Sequence, residues 1–344
     1  MSSHSPSRSL SKSPRRVARV ALAVARTALP QYFHRFSRHD FEQAQLFAVL
    51  VLRLFFKTDY RGMCQILQDF PELQRELKLR RVPHYATLCR AAKRLAVAFD
   101  KLLEQILVQA QTGGLISIPI RLALDSTGLE ERHASRYYQS RCRNGPYRQK
   151  YWTKLGAACH TGSHLIVAAK CARGPGNDCC LWTPLLRAST RYLPIDTALA
   201  DAAFDSEENH VCARQRYGVR LSVIPLNPRT HGRKWPQTPY RRQMRRRFLK
   251  NVYAQRNHAE SVFSQHKRVL GTSLRARSQA TRRAETLLRV LVHDIMILKW
   301  FSEPCNKAPQ GEREQPPTRL RLAFRAGDLG NRLCRRAFVK PRGK

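Results

Sequence analysis

The spacing of apolar residues changes at residue 116, and this change constrains the fold more than any other feature of the chain. From Ile116 to Leu124 every second residue is Ile or Leu, and Asp125 follows directly. An alternation with a period of two is typical of a β-strand with one buried face. We therefore predict a strand that presents the Asp125 carboxylate at its C-terminal end.

Extended and helical segments alternate after this strand. Residues 151–158 and 165–171 are predicted to form a hairpin, and a short strand at 197–200 leads into Asp201. The predicted order of elements is strand, strand, strand, helix, strand, helix, strand, helix. This order is typical of α/β proteins in which helices cover the faces of a mixed sheet.

The region before residue 113 is predicted to have two parts. Residues 1–36 are rich in Ser and Arg and contain no acid, which indicates a flexible basic arm. Residues 37–112 are helical, with a capping box from Ser37 to Asp40 before the first helix and a basic helix near residues 85–95. A helix-turn-helix-like DNA-binding region and a plain helical bundle with a basic exposed face are both open.

The charge of the chain points to a polyanionic partner. Lys and Arg number 63 and Asp and Glu number 24, which gives a net charge of +39, while 42% of the residues are hydrophobic. Repulsion of this size disfavours the compact state unless a polyanion neutralises it. A disordered peptide and a disulfide mini-protein are excluded, because the chain can bury a real core. Nucleic acid is the first candidate partner, and no apolar run is long enough to span a membrane.

Two segments concentrate this charge. The first is a loop at 226–250, which contains nine Lys or Arg and no acid. Phosphates can neutralise such a run, and the interleaved Trp235 and Tyr240 can stack on bases, so we predict a DNA-contacting loop that includes Arg245, Arg246 and Arg247. The second is a flexible basic tail at 301–344, with eleven Lys or Arg and four acids.

A helix predicted at 251–267 carries four polar residues on one side. At about 100° per residue, Tyr253, Arg256, Glu260 and Lys267 share a sector about 60° wide. A single carboxylate between Arg and Lys on a helix surface is by default an ion-pair network of small energetic effect. The spacing alone therefore leaves the role of these residues open.

The same spacing, Tyr-x2-Arg-x3-Glu-x6-Lys, resembles a motif of the DDE transposases encoded by bacterial insertion sequences. Two further parts of that family's pattern are present, namely Asp125 in Ala-Leu-Asp-Ser-Thr and Asp201 in Asp-Ala-Ala-Phe-Asp. The resemblance covers residues 116–300. It implies a ribonuclease-H-like catalytic domain in its compact form, preceded by the helical region.

The resemblance also implies the chemistry of the site. Asp125, Asp201 and Glu260 would hold two Mg²⁺ ions, with Asp125 contacting both, and Mn²⁺ would also support activity. Carboxylate oxygens suit such cations, and two ions can stabilise both the attacking and the leaving oxygen of a displacement at phosphorus. Asp205, Glu130 and Glu131 lie near the proposed ligands in the sequence and could substitute for one of them.

The remaining roles also follow from the resemblance. Arg256 and Lys267 would hold phosphates, and Tyr253 would position the DNA backbone or a base. The protein would cut its element's terminal inverted repeats and join the freed 3′-hydroxyls to target DNA, as a homodimer on DNA, in the cytoplasm at the nucleoid. A catalytically silent DNA-binding repressor or architectural protein, and a nuclease of the same fold, are the alternatives.

Overall fold

The computed structural model describes residues 10–131, 152–227 and 235–298. The tail predicted at 301–344 lies outside the described residues. In the described part before the sheet, six α-helices follow one another: α1 (Pro14–Ala28), α2 (Gln43–Phe55), α3 (Tyr60–Asp69), α4 (Pro71–Glu76), α5 (Tyr85–Leu95) and α6 (Phe99–Thr112).

The prediction of a flexible arm was wrong for residues 14–28, because they form helix α1. Ser13 caps the helix, Pro14 occupies its first position, and the apolar face from Val17 to Ala25 is buried. The helix packs chiefly against α2. An apolar residue at every third or fourth position provides a buried stripe, and burial of this stripe outweighs the Ser- and Arg-rich composition of the segment.

The predicted start of α2 was also wrong. The capping box is formed by Glu42 and Gln45, rather than by Ser37 and Asp40, and the helix begins at Gln43. The next helices agree better with the prediction, since α5 buries Leu88 on one face and exposes Arg90 on the other. The described geometry is compatible with both interpretations of this region, a helix-turn-helix-like DNA-binding region and a plain helical bundle with a basic exposed face.

The predicted order of strands and helices is confirmed. The strands are β1 (Ile120–Glu131), β2 (Trp152–His160), β3 (Ile166–Gly174), β4 (Ile195–Leu199), β5 (Leu221–Val223) and β6 (Ser273–Leu274). They form a mixed sheet in the order β3-β2-β1-β4-β5, with β6 beside the end of β1. The first three strands are antiparallel, whereas β4 and β5 run parallel to β1.

Helices flank the sheet as expected of a ribonuclease-H-like domain. They are α7 (Trp182–Ser189), α8 (Glu207–Val211), α9 (Pro239–Arg246), α10 (Lys250–Tyr253), α11 (Asn257–Leu270) and α12 (Gln279–Ile297). Most of the second half of α12 is buried, and this helix contacts β3, α2 and α6. One hydrophobic core therefore continues from the sheet into the N-terminal helices. Among the described helices, none is long and apolar enough to cross a membrane.

Candidate active site

Asp125 lies inside β1 and not at its end, which corrects the prediction. The antiparallel pairing of β1 with β2 continues beyond it to Leu129, but the parallel pairing with β4 stops at Ala123, opposite Leu199. Asp125 thus lies just beyond the point where the pairing between β1 and β4 ends. Ligand sites of open α/β sheets lie at such carboxyl ends of parallel strands.

Asp201 stands at the same edge of the sheet, as predicted. It follows the last residue of β4, Leu199, by two positions, just as Asp125 follows Ala123 by two. Its Oδ1 accepts a hydrogen bond of 3.0 Å from the backbone N–H of Ala203, the second residue of a 3-10 turn at Ala202–Phe204. This bond fixes the carboxylate beside Asp125.

Glu260 is linked to this edge of the sheet by ion pairs that Arg256 forms. The predicted single helix is interrupted, since α10 ends at Tyr253, a 3-10 turn follows, and α11 begins at Asn257. The Arg256 guanidinium nevertheless forms ion pairs with Glu260 and with Asp125, the latter with an Nη1–Oδ2 distance of 3.5 Å. One cation therefore lies between two of the three predicted carboxylates.

The surroundings of Asp125 disfavour its charge. Burial raises the pKa of Asp125 to about 6, and the charges of Asp201 and Glu260 act in the same direction, while a hydrogen bond from the Ser126 N–H and the charge of Arg256 oppose them. A carboxylate in this state gains from any added cation that compensates the neighbouring charges.

The donor set suits a divalent cation, although Glu260 must first turn. Among the described residues, no three His, Cys, Asp or Glu side chains lie close enough to hold a metal ion. Three carboxylates supply the hard oxygen ligands that Mg²⁺ prefers. The Glu260 side chain is 57% exposed and forms an ion pair with Arg256, so rotation about its own side-chain bonds can exchange the guanidinium for a metal ion.

Tyr253 and Lys267 extend the same face of the structure. The Arg256 guanidinium lies 5.9 Å from the centre of the Tyr253 ring, and burial raises the pKa of the Tyr253 hydroxyl. Lys267 lies in the last turn of α11, seven residues after Glu260, which places it about 10 Å further along the helix. The four residues of the spacing motif are thus on one side, but Lys267 is the most distant from the aspartates.

The basic segment is more ordered than a solvated loop. Residues 228–234 lie outside the described residues, but residues 239–246 form helix α9 with Arg241 and Met244 buried and Arg245 and Arg246 exposed. Arg247 follows the helix and is also exposed.

Two carboxylates, those of Asp205 and Glu207, hold α9 in place. Arg241 donates two hydrogen bonds to the Asp205 carboxylate, at 2.8 and 2.7 Å, and the Asp205 side chain is fully buried. Both carboxylate oxygens of Glu207 accept backbone N–H groups at the start of α9, those of Tyr240 and Arg241. Asp205 is therefore engaged by Arg241 and is not a spare metal ligand.

A small hydrophobic cluster completes the attachment of α9. Met244 packs with Leu199 and Val223, and Tyr253 and Phe248 lie against this cluster. Because Leu199 precedes Asp201 by two residues, the cluster joins the basic helix, the second aspartate and Tyr253 in one packed unit.

An ion pair between Lys154 and Asp178 lies next to Asp125. Asp178 accepts hydrogen bonds of 2.6 Å from the Ser126 hydroxyl and from the Lys154 ammonium group. The side chain that caps the adjacent turn is that of Asn177, whose Oδ1 accepts the Cys179 N–H. Asp178 instead ties β2 to β1 at the residue next to Asp125.

Sequence reasoning missed Arg241, Glu207 and Lys154 as parts of the site. The only available signal was the density of acids at 201–207 in a chain with few acids. Their partners are 24 to 36 residues away, and no local pattern identifies such pairs.

Comparison with known proteins agrees with this geometry. The sequence model of the family described as the transposase DDE domain matches residues 117–295, just over half of the chain. The match includes both aspartates, Glu260 and the whole sheet. No curated protein is a significant match to the chain. The chain belongs to the DDE transposases of insertion sequences, a family of enzymes that cut and rejoin DNA.

Proposed function

We propose that this transposase cuts DNA at the terminal inverted repeats of its own element and joins the freed 3′-hydroxyls to a target strand. The observation that carries the proposal is the meeting of Asp125 and Asp201 at one edge of the sheet, with Glu260 linked to Asp125 through Arg256. A protein that only binds DNA needs no such convergence of acids in a chain of net charge +39.

DDE transposases use divalent metal ions, and in this chain Asp125, Asp201 and Glu260 would hold two Mg²⁺ ions, or Mn²⁺ in their place. When bound, the ions stabilise negative charge on the attacking and leaving oxygens of the phosphodiester. Asp125, between the other two carboxylates, would contact both ions. The hydrogen bond from the Ala203 N–H holds the Asp201 carboxylate in place, so this side chain would need to move little to bind an ion.

Arg256 and Lys267 would bind phosphates beside the carboxylates. Once Glu260 turns away from Arg256, the guanidinium regains donors that suit a phosphate group. Tyr253, packed against Phe248 with ring centres 5.1 Å apart, would support the DNA backbone or a base at the cut. These three residues would position the strand, while the carboxylates serve the reaction.

Transposases bind DNA, and here the exposed arginines after Met244 would contribute to that binding. Arg245 and Arg246 are exposed on α9, the helix that Asp205 and Glu207 fix next to Asp201, and Arg247 is exposed directly after this helix. Phosphates bound on this surface would lie on the Asp201 side of the site. A homodimer would bring two element ends together, and the cytoplasmic nucleoid would supply the target.

The test is strand cleavage of DNA that carries the element's ends, with Mg²⁺ or Mn²⁺ and with EDTA. We expect metal-dependent cuts at the ends by the wild-type protein, no cuts by Asp125→Asn, and wild-type cleavage by Asp69→Asn, a matched change at a distant exposed helix end.

Three results would contradict the proposal. Binding without cleavage in any metal, by folded wild-type protein, would favour a repressor. Cuts without joined products would favour a nuclease. Cleavage by Asp125→Asn at the wild-type rate would remove the first ligand from the assignment.

A further inference from the structure

A cavity of about 650 Å³ lies between residues 33–46 and residues 81–94, in the N-terminal helical region. We call it the N-terminal cleft. Its walls are aromatic rings and guanidinium groups, and they include Phe33, Phe41, Arg38, Arg81, Arg90 and Arg94. The metal-ligand candidates are not among the residues that line it, so it is a separate site.

The charge of the cleft is strongly positive. Four arginines line it, and Asp40 is the acid among the lining residues. Asp40 forms an ion pair with Arg81. Within the described parts of the chain, Arg38, Arg90 and Arg94 have no carboxylate partner. The cleft therefore presents three uncompensated positive charges to an anionic ligand.

Its aromatic residues are unusually exposed. The Phe33 side chain is 57% exposed, and Phe36, beside the cleft, is 78% exposed. The Arg94 guanidinium lies 4.8 Å from the centre of the Phe33 ring, and that of Arg35 lies 4.5 Å from the Phe36 ring. Ring faces that accept a flat guanidinium also accept a nucleobase, because both stack on aromatic π-systems.

The size of the cleft selects among nucleic acids. Its volume falls in the usual range for ligand sites, about 300–1,000 Å³. A DNA duplex is far larger, since its major groove alone is about 12 Å wide. Unpaired nucleotides can enter, with bases near the rings and phosphates near the arginines.

We propose that the N-terminal cleft binds unpaired nucleotides of a DNA strand, with a base stacked on Phe33 and phosphates bound by Arg38 and Arg90. A free nucleotide offers the same chemistry, but a strand brings several phosphates to three separated guanidinium groups and is therefore the better partner. This role is independent of the proposed cleavage, because it needs neither the carboxylates nor a metal ion.

The test measures binding of a short fluorescent oligothymidine to the full-length protein in EDTA, by anisotropy, with a duplex of equal length as a second probe. We expect Phe33→Ala and Arg90→Ala each to weaken single-strand binding about tenfold, which corresponds to about 1.4 kcal/mol, and to leave duplex binding within about twofold of wild type. Phe33 is exposed, so its loss leaves the core intact.

Arg61→Ala is the matched control. Arg61 also stacks on an aromatic ring in the helical region, that of Tyr85 at 4.7 Å, but it lies outside the cleft. Single-strand affinity should be unchanged in this variant. Equal losses for duplex and single strand, or an equal loss in the control, would overturn the proposal. Competition by thymidine monophosphate as strong as by the oligonucleotide would also overturn it, in favour of a free nucleotide.

Discussion

Removal of the Arg241 guanidinium should destabilise the protein strongly, because it leaves a buried charge without its partner. The Asp205 side chain is fully buried and that of Arg241 is 9% exposed, and two hydrogen bonds of 2.8 and 2.7 Å join them. After Arg241→Met, the carboxylate retains the Asn227 N–H as a donor, at 2.7 Å. Methionine preserves most of the apolar stem, so the change reports the loss of charge rather than of packing.

The expected cost is about 3–5 kcal/mol, the usual range for one partner removed from a buried ion pair. The double variant Arg241→Met with Asp205→Asn should recover more than half of this loss, because the amide is neutral and its oxygen can still accept the Asn227 N–H. Arg246→Met, on the exposed face of the same helix, should stay within about 0.5 kcal/mol of wild type.

Urea unfolding of the purified full-length variants, followed by circular dichroism, measures these differences. A loss below about 1 kcal/mol in Arg241→Met would refute the reasoning, since the pair would then be accessible to water. A double variant no more stable than Arg241→Met would show that the guanidinium acts through packing and not through charge.

Three further predictions concern the site and the fold. Glu260→Gln should abolish cleavage while DNA affinity in a binding assay stays within about twofold of wild type, because a metal ligand is lost and the basic surface is unchanged. Replacement of Arg245, Arg246 and Arg247 by Gln should reduce the slope of log affinity against log salt by up to about 2.7, and an unchanged slope would mean that they face solvent in the complex. Burial and neighbouring positive charge lower the pKa of His210 to about 4, so the unfolded chain binds a proton there that the folded protein excludes. The free energy of unfolding should therefore fall by up to about 3 kcal/mol as the pH falls from 6.5 to 4, and this group should not affect it above pH 6.5. In His210→Asn this part of the pH dependence of unfolding should be absent.

The order of elements was readable from the sequence because it depends on local periodicity. The alternation that ends at Leu124 lies in β1, although this strand begins at Ile120 rather than Ile116 and continues to Glu131, and the short strand before Asp201 is β4. The parallel pairing of β1 with β4 brings the two aspartates to one edge. Asp125 and Asp201 each lie two positions after the last residues that pair β1 with β4, so this proximity depends on the pairing of the two strands as well as on their order.

The errors have physical causes that composition conceals. In α1 the apolar stripe that includes Val17, Val20 and Val24 was present in the sequence, but the surrounding Ser and Arg residues suggested an arm. In 226–250 the density of arginine suggested a loop that contacts DNA, but residues 239–246 form a helix in which Arg241 and Met244 are buried. A basic residue can be buried when a carboxylate meets it, and that carboxylate, Asp205, is 36 residues distant.

The acids near the sheet edge divide into two groups with different functions in the fold. Asp205, Glu207 and Asp178 each bind a basic residue or a helix start, and thereby fix the elements around the edge. Asp125 and Glu260 share the guanidinium of Arg256 instead, which leaves their negative charge only partly neutralised.

This division gives Arg256 a central position in the proposed reaction. Its guanidinium cannot pair with Glu260 and also offer all its donors to a phosphate. A cation held by Asp125 and Glu260 would compete with Arg256 for the same oxygens, and the guanidinium would then be available to DNA. Metal binding and phosphate binding should therefore support each other at this site, since each removes a competitor of the other.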